Sequence, residues 1–486
     1  MNTFFMNNFL TNYSLKGFTL NTTNQCNLRC TYCFEKNKHD LYMTKEDCKT
    51  ILDKVTYNFE HRTLIEDSTS NFNVVFFGGE PTLNFEIMKY TVDYLKEKTY
   101  EVNYGITTNF LNITDEMLDF FYDNNVGILV SIDGLKELHD KNRCNSYDKV
   151  VENIKRALDK DLKLNLEARI TLLPQDVKYL FESVKNIFSL GIDNIAPCVV
   201  YDVPWKDEDY IEFEKQIRMI YDWTLSLYNE PNNKRNLQVK SVNDFIELCL
   251  DYNNDNSPCG FGKENWISVG PDGEIAPCHQ VHTSYKNYDE LIVGNILKEE
   301  LDTTKIRNIR NEIVRSKCFG CKFYHFCRGG CPIENMRLNS SYTTPSENTC
   351  RTNEIMYNIT KDYQEKILNS DNIRSRRLNV LKVNLRLKKL AEDLRKDFST
   401  NEIMKNFDHL NTSLVELQKD IYANERIILP QYLESINKNI QYSFTKLTES
   451  FKDFLGKVSN DCESMLKEQR KEKYLRRISF KKRRLK

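Results

Sequence analysis

This sequence predicts an α/β fold with a parallel sheet, on three observations. Short apolar stretches alternate with longer amphipathic ones through six units in the first part of the chain. The apolar stretches are continuous, as strands covered on both faces require. Cysteines, glycines, carboxylates and amides fall just past the carboxyl ends of these stretches, the face on which such folds build sites.

Phe18-Thr19-Leu20-Asn21 reads as the first strand, running into a cysteine loop. Thr44 followed by Glu46 and Asp47 starts a helix with Ile51, Val55 and Phe59 on one face. Asn73 to Phe77 is the second strand and ends at Gly78-Gly79-Glu80-Pro81; a helix follows over about 85–98. The third strand, 102–106, ends in Thr107-Thr108-Asn109 and precedes a helix over 114–124. The fourth, 126–132, ends at Ser131-Ile132-Asp133-Gly134. A helix from Ser146, a strand over 164–171, a helix from Asp176, a strand over 192–198 and a helix over 207–228 complete the series. Periodicity allows both a curled barrel and an open doubly wound sheet.

The 486 residues should hold two or three domains. The formal charge of −1 hides an asymmetry: residues 467–486 carry 11 Lys/Arg against 2 Glu, or +9, so the remainder carries −10. The start lacks a basic region followed by an apolar run, and runs such as Val74-Val75-Phe76-Phe77 are too short to span a membrane. A soluble cytoplasmic protein is expected. Fifteen cysteines in that setting point to metal or redox chemistry rather than disulfides. Thiolate-held iron would suit an anaerobic setting.

Cys26, Cys30 and Cys33 form a C-x3-C-x2-C array in one loop. A 4Fe–4S cluster held by cysteine takes four thiolates, so three in one loop leave one iron open for another ligand. The alternative is zinc, whose structural sites use C-x2-C pairs and close with four ligands. With Tyr32 before the last cysteine, the array resembles the signature of the radical S-adenosylmethionine (SAM) enzymes. The resemblance implies a partial (β/α)6 TIM-like barrel in which the three cysteines hold a cluster and SAM chelates the fourth iron. Electron transfer would then yield a 5′-deoxyadenosyl radical that abstracts hydrogen. It also implies SAM-contacting positions: Tyr32 by the adenine, Gly78, Gly79 and Glu80 at the methionyl amine, and Ser131 and Arg143 at hydroxyl or carboxylate groups. Asn109, Asp133, Arg169 and Val199 join them as candidates. Read alone, Tyr32 would serve as a core residue, Ser131 as a helix cap, Arg143 as a surface charge and Arg169 as a structural one. Glycines at 78 and 79 would let backbone approach a ligand closely.

A second array reads Cys259-x13-Gly273-x4-Cys278, then Cys318-x2-Cys321-x5-Cys327-x3-Cys331, then Cys350. A zinc ribbon would account for Cys318 and Cys321 and leave the other five idle. The string is similar to the SPASM domain, the auxiliary-cluster module of radical SAM enzymes that modify peptides and proteins. By that resemblance Cys318, Cys321, Cys327 and Cys350 hold one auxiliary 4Fe–4S cluster, and Cys259, Cys278 and Cys331 hold the other. The iron left over takes Cys249 or a substrate thiolate; Cys249 sits on a helical pattern where burial as an apolar residue serves equally. Three clusters and SAM are thus expected, with an external electron donor such as flavodoxin or ferredoxin.

Relatives of this kind fall into two groups. Sulfatase maturases make formylglycine, and their proposed base is an aspartate directly after the second SPASM cysteine, where this chain has His279. Histidine titrates near neutral pH and is the candidate catalytic base, or else a structural residue. Peptide maturases form thioether or carbon–carbon crosslinks in ribosomally made precursors, and that is the expected function. About sixteen residues precede the first strand, too few for a leader-binding domain, so a separate leader-binding protein or the C-terminal region is expected to read a leader.

The expected domains are the barrel (1–228), a helical bridge (229–255), the SPASM module (256–351) and an all-helical extension (352–486). In the extension, Val380 to Leu394, Leu410 to Ile421 and Leu433 to Val458 step by three and four, as three helices with narrow apolar seams. The basic tail would bind an acidic leader, RNA or an anionic membrane surface. An RNA-modifying or RNA-binding iron–sulfur protein is the reading from another class.

Overall fold

Strand order decides between the two architectures that periodicity allows. In the structure, a computed structural model, β1 (Gly17–Asn21), β2 (Phe72–Phe77), β3 (Val102–Thr108), β4 (Gly127–Ser131), β5 (Leu166–Leu172) and β6 (Asn194–Val199) lie side by side in chain order. All are parallel. A doubly wound sheet reverses its order at a switch point, and this one does not. Right-handed crossovers therefore put the connecting helices on one face, and the sheet curls as a partial (β/α)6 barrel. The structure describes residues 10, 13–35, 38–61, 71–162, 165–200, 203–230, 235, 237–240, 261–263, 265–282, 288–314, 318 and 320–368. The chain divides into two compact units, Met1–Lys366 and Ile367–Lys486.

The helices of the barrel are α1 (Lys45–Glu60), α2 (Phe85–Lys96), α3 (Asp115–Asp123), α4 (Lys136–Asn142), α5 (Tyr147–Asp159), α6 (Leu180–Ser189) and α7 (Asp207–Asn229). Thr44 caps α1 as its sequence implies: the Asp47 N–H donates to Thr44 Oγ at 3.1 Å, a contact worth about 1 kcal/mol. Ile51, Leu52 and Val55 of α1 pack out of solvent, and Phe59 meets Phe72 of β2 at 4.8 Å between ring centroids.

β5 displays the two faces of the sheet. Leu166, Ala168, Ile170 and Leu172 are fully buried under the helices, whereas Glu167, Arg169 and Thr171 alternate with them and stay part-exposed on the other face. A closed eight-stranded barrel fills its interior with layers of branched side chains. Here the inner face keeps polar residues and open space.

Two elements depart from expectation. The segment from Asp176 starts as a 3-10 turn, Pro174–Tyr179, and becomes helical only at α6. Proline at the turn's first position fits, and the Asp176 carboxylate is held by Lys141 at 3.1 Å. The helix α4 was not expected: its sequence, Lys136 to Asn142, carries a single aliphatic residue, Leu138. It is anchored by polar contacts instead.

The cysteine-rich region continues the same sheet. β8 (Trp266–Val269) lies parallel to β1, from Gly17 opposite Trp266 to Leu20 opposite Val269. It turns through Gly270-Pro271-Asp272-Gly273 into antiparallel β9 (Glu274–Ala276). β10 (Gly294–Asn295) and β11 (Glu300–Leu301) complete that edge, and β7 (Gln238–Val239) extends the other beyond β6. α8 (Thr303–Val314), α9 (Tyr324–Cys327), α10 (Pro332–Asn339) and α11 (Glu347–Leu368) follow. The expected barrel and cysteine-rich module therefore share one eleven-stranded sheet within one unit. Cys249, Cys259, most of the bridge over 229–255, the extension past 368 and the basic tail lie outside the described residues. No helix among the described residues is long and apolar enough to cross a membrane.

Candidate active site

The loop after β1 is docked before it presents its cysteines. Thr22 N–H donates to Phe77 O at 3.0 Å, Gly79 N–H to Thr23 O at 2.9 Å and Glu80 N–H to Gln25 O at 2.9 Å. Gly78 and Gly79 are glycines because of this pairing. A Cβ at Gly78 would stand 2.3 Å from Thr23 O, one at Gly79 would stand 2.3 Å from Gln25 O, and Gly78 has φ +142°. The sequence suggested close approach to a ligand; the approach seen is to the cysteine loop itself, and both glycines also line the cavity below it.

Glu80 is a second anchor. Its buried carboxylate accepts from Thr82 N–H (3.2 Å), the Thr82 and Thr108 hydroxyls (both 2.7 Å) and Asn109 N–H (2.7 Å). Burial nonetheless raises its carboxyl above the usual range. Asn109 in turn donates through Nδ2 to Asn27 Oδ1 at 2.7 Å, tying the end of β3 to the cysteine loop. From the other side Asn142 of α4 takes Thr31, accepting its N–H at 3.0 Å and its hydroxyl at 2.8 Å.

A cavity of about 510 Å³ lies at the carboxyl ends of the barrel strands. Cys26, Cys30, Cys33, Tyr32, Gly78, Gly79, Glu80, Asn109, Ser131, Arg143, Arg169 and Val199 all line it. From the cysteine-rich region come His279, Gln280, Glu334 and Arg337. Of the barrel residues singled out from sequence, Asp133 alone does not reach the wall; it is fully buried behind it. Sequence reasoning missed Glu35, Lys38, Thr171, Cys198, Glu334 and Arg337. A period-two strand pattern points to Thr171; Cys198 lies in β6 opposite it, and the others lie in loops or on a helix with no signal of their own.

The donor set suits an iron–sulfur cluster. Burial pushes the Cys26 thiol up to about 11, with the Lys38 ammonium opposing, and raises Cys30, with Arg143 opposing. Thiols so placed stay protonated at neutral pH until a metal takes the sulfur. Two buried amide atoms in the loop, Asn24 Oδ1 and Asn27 Nδ2, lack partners among the described residues, as groups awaiting a bound moiety would.

Asp133 organises the wall from behind. Its Oδ2 accepts from the Tyr32 hydroxyl and from Arg143 Nε at 3.1 Å, and its Oδ1 accepts from Thr171 N–H at 3.1 Å. The Arg143 guanidinium lies 5.3 Å from the Tyr32 ring centroid, with Nη1 4.0 Å from Cys30 Sγ. Behind this pair Asp133 N–H donates to His139 Nδ1 at 3.3 Å, so the imidazole proton sits on Nε2 and goes to Ser146 Oγ at 2.9 Å. The Ser146 hydroxyl then donates to Arg143 O at 2.7 Å.

This chain requires a neutral His139, and burial, aided by Arg143, pushes the imidazole down to about 4. Asp133 and Asp140 pull the other way, and Lys136 adds to Arg143. In the unfolded chain the group titrates near 6.5, so the unfolded state binds more protons between those values. Stability is therefore full above about pH 6.5 and falls as the pH drops toward 4. Urea denaturation at a series of pH values should register about 3 kcal/mol lost across that window, and His139→Gln should flatten the slope.

His279 packs against Phe77 at 3.9 Å and Phe34 at 6.3 Å between centroids, and burial holds its imidazole down to about 3. It is a neutral ring in the cavity wall. Farther along, the Cys327 thiol is raised to about 12 by burial and by Cys350 and Cys318; Cys350 is raised by burial and by Cys318 and Cys321. Cys318, Cys321, Cys327 and Cys350 are therefore near enough to feel one another's charge. Gly330 enables this: a Cβ there would stand 2.4 Å from Thr349 Cγ2, beside Cys350 on α11. Cys278 precedes the 3-10 turn that bears His279, and Cys331 caps α10.

Comparisons with known proteins agree with this geometry. Residues 20–187 match the Radical SAM superfamily. Over 343 residues the chain is 25% identical to a cysteine-type anaerobic sulfatase-maturating enzyme of Clostridium novyi (strain NT), covering 64% of this chain and 85% of that one. The solved structure of anSMEcpe with bound AdoMet has a TM-score of 0.59 at 20% identity and covers 75% of this chain and 97% of that one. SuiB of Streptococcus suis bound to precursor peptide SuiA has a TM-score of 0.51 at 17% identity, covering 69% and 76%. The cysteine loop, the glycine pair and the strand ends that form one side of the cavity therefore lie within residues 20–187, the segment of this chain that matches the Radical SAM superfamily.

Proposed function

We propose that this chain is a radical SAM enzyme that modifies a residue within a polypeptide, and that it installs a crosslink, a thioether, in a ribosomally made precursor. The observation that carries the reading is the cavity wall. The three-cysteine loop and the strand ends form one side, and His279, Gln280, Glu334 and Arg337 of the cysteine-rich region form the other. Cys26, Cys30 and Cys33 would hold one 4Fe–4S cluster. Cys318, Cys321, Cys327 and Cys350 would hold a second, and Cys278 and Cys331, with Cys259, a third. When bound, the first cluster and SAM supply a radical that removes hydrogen from the substrate, with flavodoxin or ferredoxin as electron source.

The protein's own groups bind and orient. Gly78, Gly79, Ser131 and Arg143 would receive SAM, with Tyr32 and Val199 by its adenine, while Glu80 and Asn109 hold the loop in register. Arg169 faces the cavity from β5 and would take a carboxylate. His279, a neutral ring among aromatics, would shape the substrate space. The solved SuiB structure with its precursor peptide SuiA supports a peptide substrate. Formylglycine formation is the second reading, favoured by the similarity to the Clostridium novyi maturase; the residue after Cys278 is histidine rather than aspartate, which favours the first.

The test is anaerobic incubation with SAM and reductant, first alone and then with a cysteine-containing precursor or a sulfatase-derived peptide. Formation of 5′-deoxyadenosine is expected. A crosslink removes hydrogen only and leaves every heavy atom, whereas formylglycine formation from cysteine replaces sulfur with an aldehyde oxygen. Mass spectrometry separates the two, and the absence of 5′-deoxyadenosine would defeat both.

A further inference from the structure

We infer that Asp133 is a positioning residue: without reaching the cavity, it holds Arg143 and Tyr32 against Cys30 and sets the charge that the first cluster feels. The inference rests on the proposed role of Cys30 as a cluster ligand.

Four hydrogen bonds close a ring that passes through this residue twice. Asp133 N–H donates to His139, His139 to Ser146, Ser146 to the Arg143 carbonyl, and Arg143 Nε back to the Asp133 carboxylate. Backbone and side chain of residues 133 and 143 are therefore fixed together. Asp133 and His139 are fully buried, and Ser146 and Arg143 nearly so. A guanidinium this deep needs an anion, and one carboxylate oxygen supplies it while also taking the Tyr32 hydroxyl. With Nε committed, Nη1 is directed toward Cys30 Sγ and the cavity.

The carboxylate also acts at a distance. The Asp133 carboxylate pairs with the Arg143 guanidinium at 3.1 Å, and Nη1 of that guanidinium lies 4.0 Å from Cys30 Sγ, so the arginine charge beside the sulfur is compensated. Removing Asp133 would leave the arginine charge uncompensated beside the cluster. An electron added to the cluster would then be better stabilised, and the midpoint potential would rise.

The experiment compares Asp133→Asn, Ser146→Ala and, as a control, Asp176→Asn, each reconstituted and carrying wild-type iron. Asp176 is paired with Lys141 on α4 and takes no part in the ring. For Asp133→Asn the expected results are SAM affinity lowered about tenfold or more and a less negative midpoint potential for the SAM-binding cluster. Ser146→Ala opens the ring while keeping the carboxylate, so affinity should fall and the potential should stay. Asp176→Asn should change neither. A folded Asp133→Asn protein with wild-type affinity and potential overturns the inference. If that variant does not fold, wild-type affinity in Ser146→Ala does so. Lack of 5′-deoxyadenosine from the wild type would instead remove the radical reading, a separate failure.

Discussion

Replacing Cys26, Cys30 and Cys33 together by alanine is expected to abolish 5′-deoxyadenosine formation while leaving most of the iron bound. The expectation follows from how the thiols are distributed. Cys318, Cys321, Cys327 and Cys350 feel one another's charge in the segment around α9 and the start of α11. The N-terminal three share a different wall with Arg143 and Lys38. Neither group leans on the other for its geometry: the loop is held by the Gly79 and Glu80 amides, Asn109 and Asn142, none of which the substitutions touch. Iron should thus fall by roughly a third if three four-iron clusters are present, with the circular dichroism of the fold preserved. Full loss of iron would mean that the auxiliary sites assemble only on an intact first loop. Retention of all the iron would remove these cysteines as ligands.

The sequence made the barrel legible because short apolar-rich stretches alternate regularly with amphipathic ones and some of its helices carry clear caps. Thr44 and Thr114 cap α1 and α3 through their hydroxyls. The site was legible for a related reason: cysteine spacing and the residues after each strand do not depend on tertiary detail. Illegible were the roles that two buried polar groups share. Asp133 looked like a cavity residue because it lies just past β4, two residues after Ser131, yet it is fully buried behind the wall, against Arg143. The helix α4 left no apolar periodicity because its buried residues include His139 and Asn142, held by hydrogen bonds rather than by packing. Hydrophobic patterning cannot register an element anchored in that way. Gly78 and Gly79 were recognised as close-approach residues, but sequence cannot say what approaches; here it is the backbone of Thr23 and Gln25, more than fifty residues earlier in the chain.

Gly78→Ala should therefore cost activity through the loop rather than through lost ligand contact. At φ +142° an alanine is strained by about 1–3 kcal/mol, and its methyl would enter the space of Thr23 O, 2.3 Å away. The clash eases only if residues 23–25 move outward, which breaks the Gly79–Thr23 and Glu80–Gln25 hydrogen bonds. Cys26 follows those residues directly and moves with them. A displacement of about 1 Å at a reacting centre is enough to slow a reaction about 10²-fold. The expected result is a rate of 5′-deoxyadenosine formation lower by about that factor, with a lowered denaturation midpoint and unchanged auxiliary iron. Gly105→Ala is the matched control, because a Cβ there meets nothing closer than 3.8 Å and the residue sits in β3 with ordinary strand geometry. It should leave rate and midpoint where they are. If Gly78→Ala is as active as the wild type, the loop yields without carrying Cys26, and the position of the cysteines must be set by Asn109 and Asn142 alone.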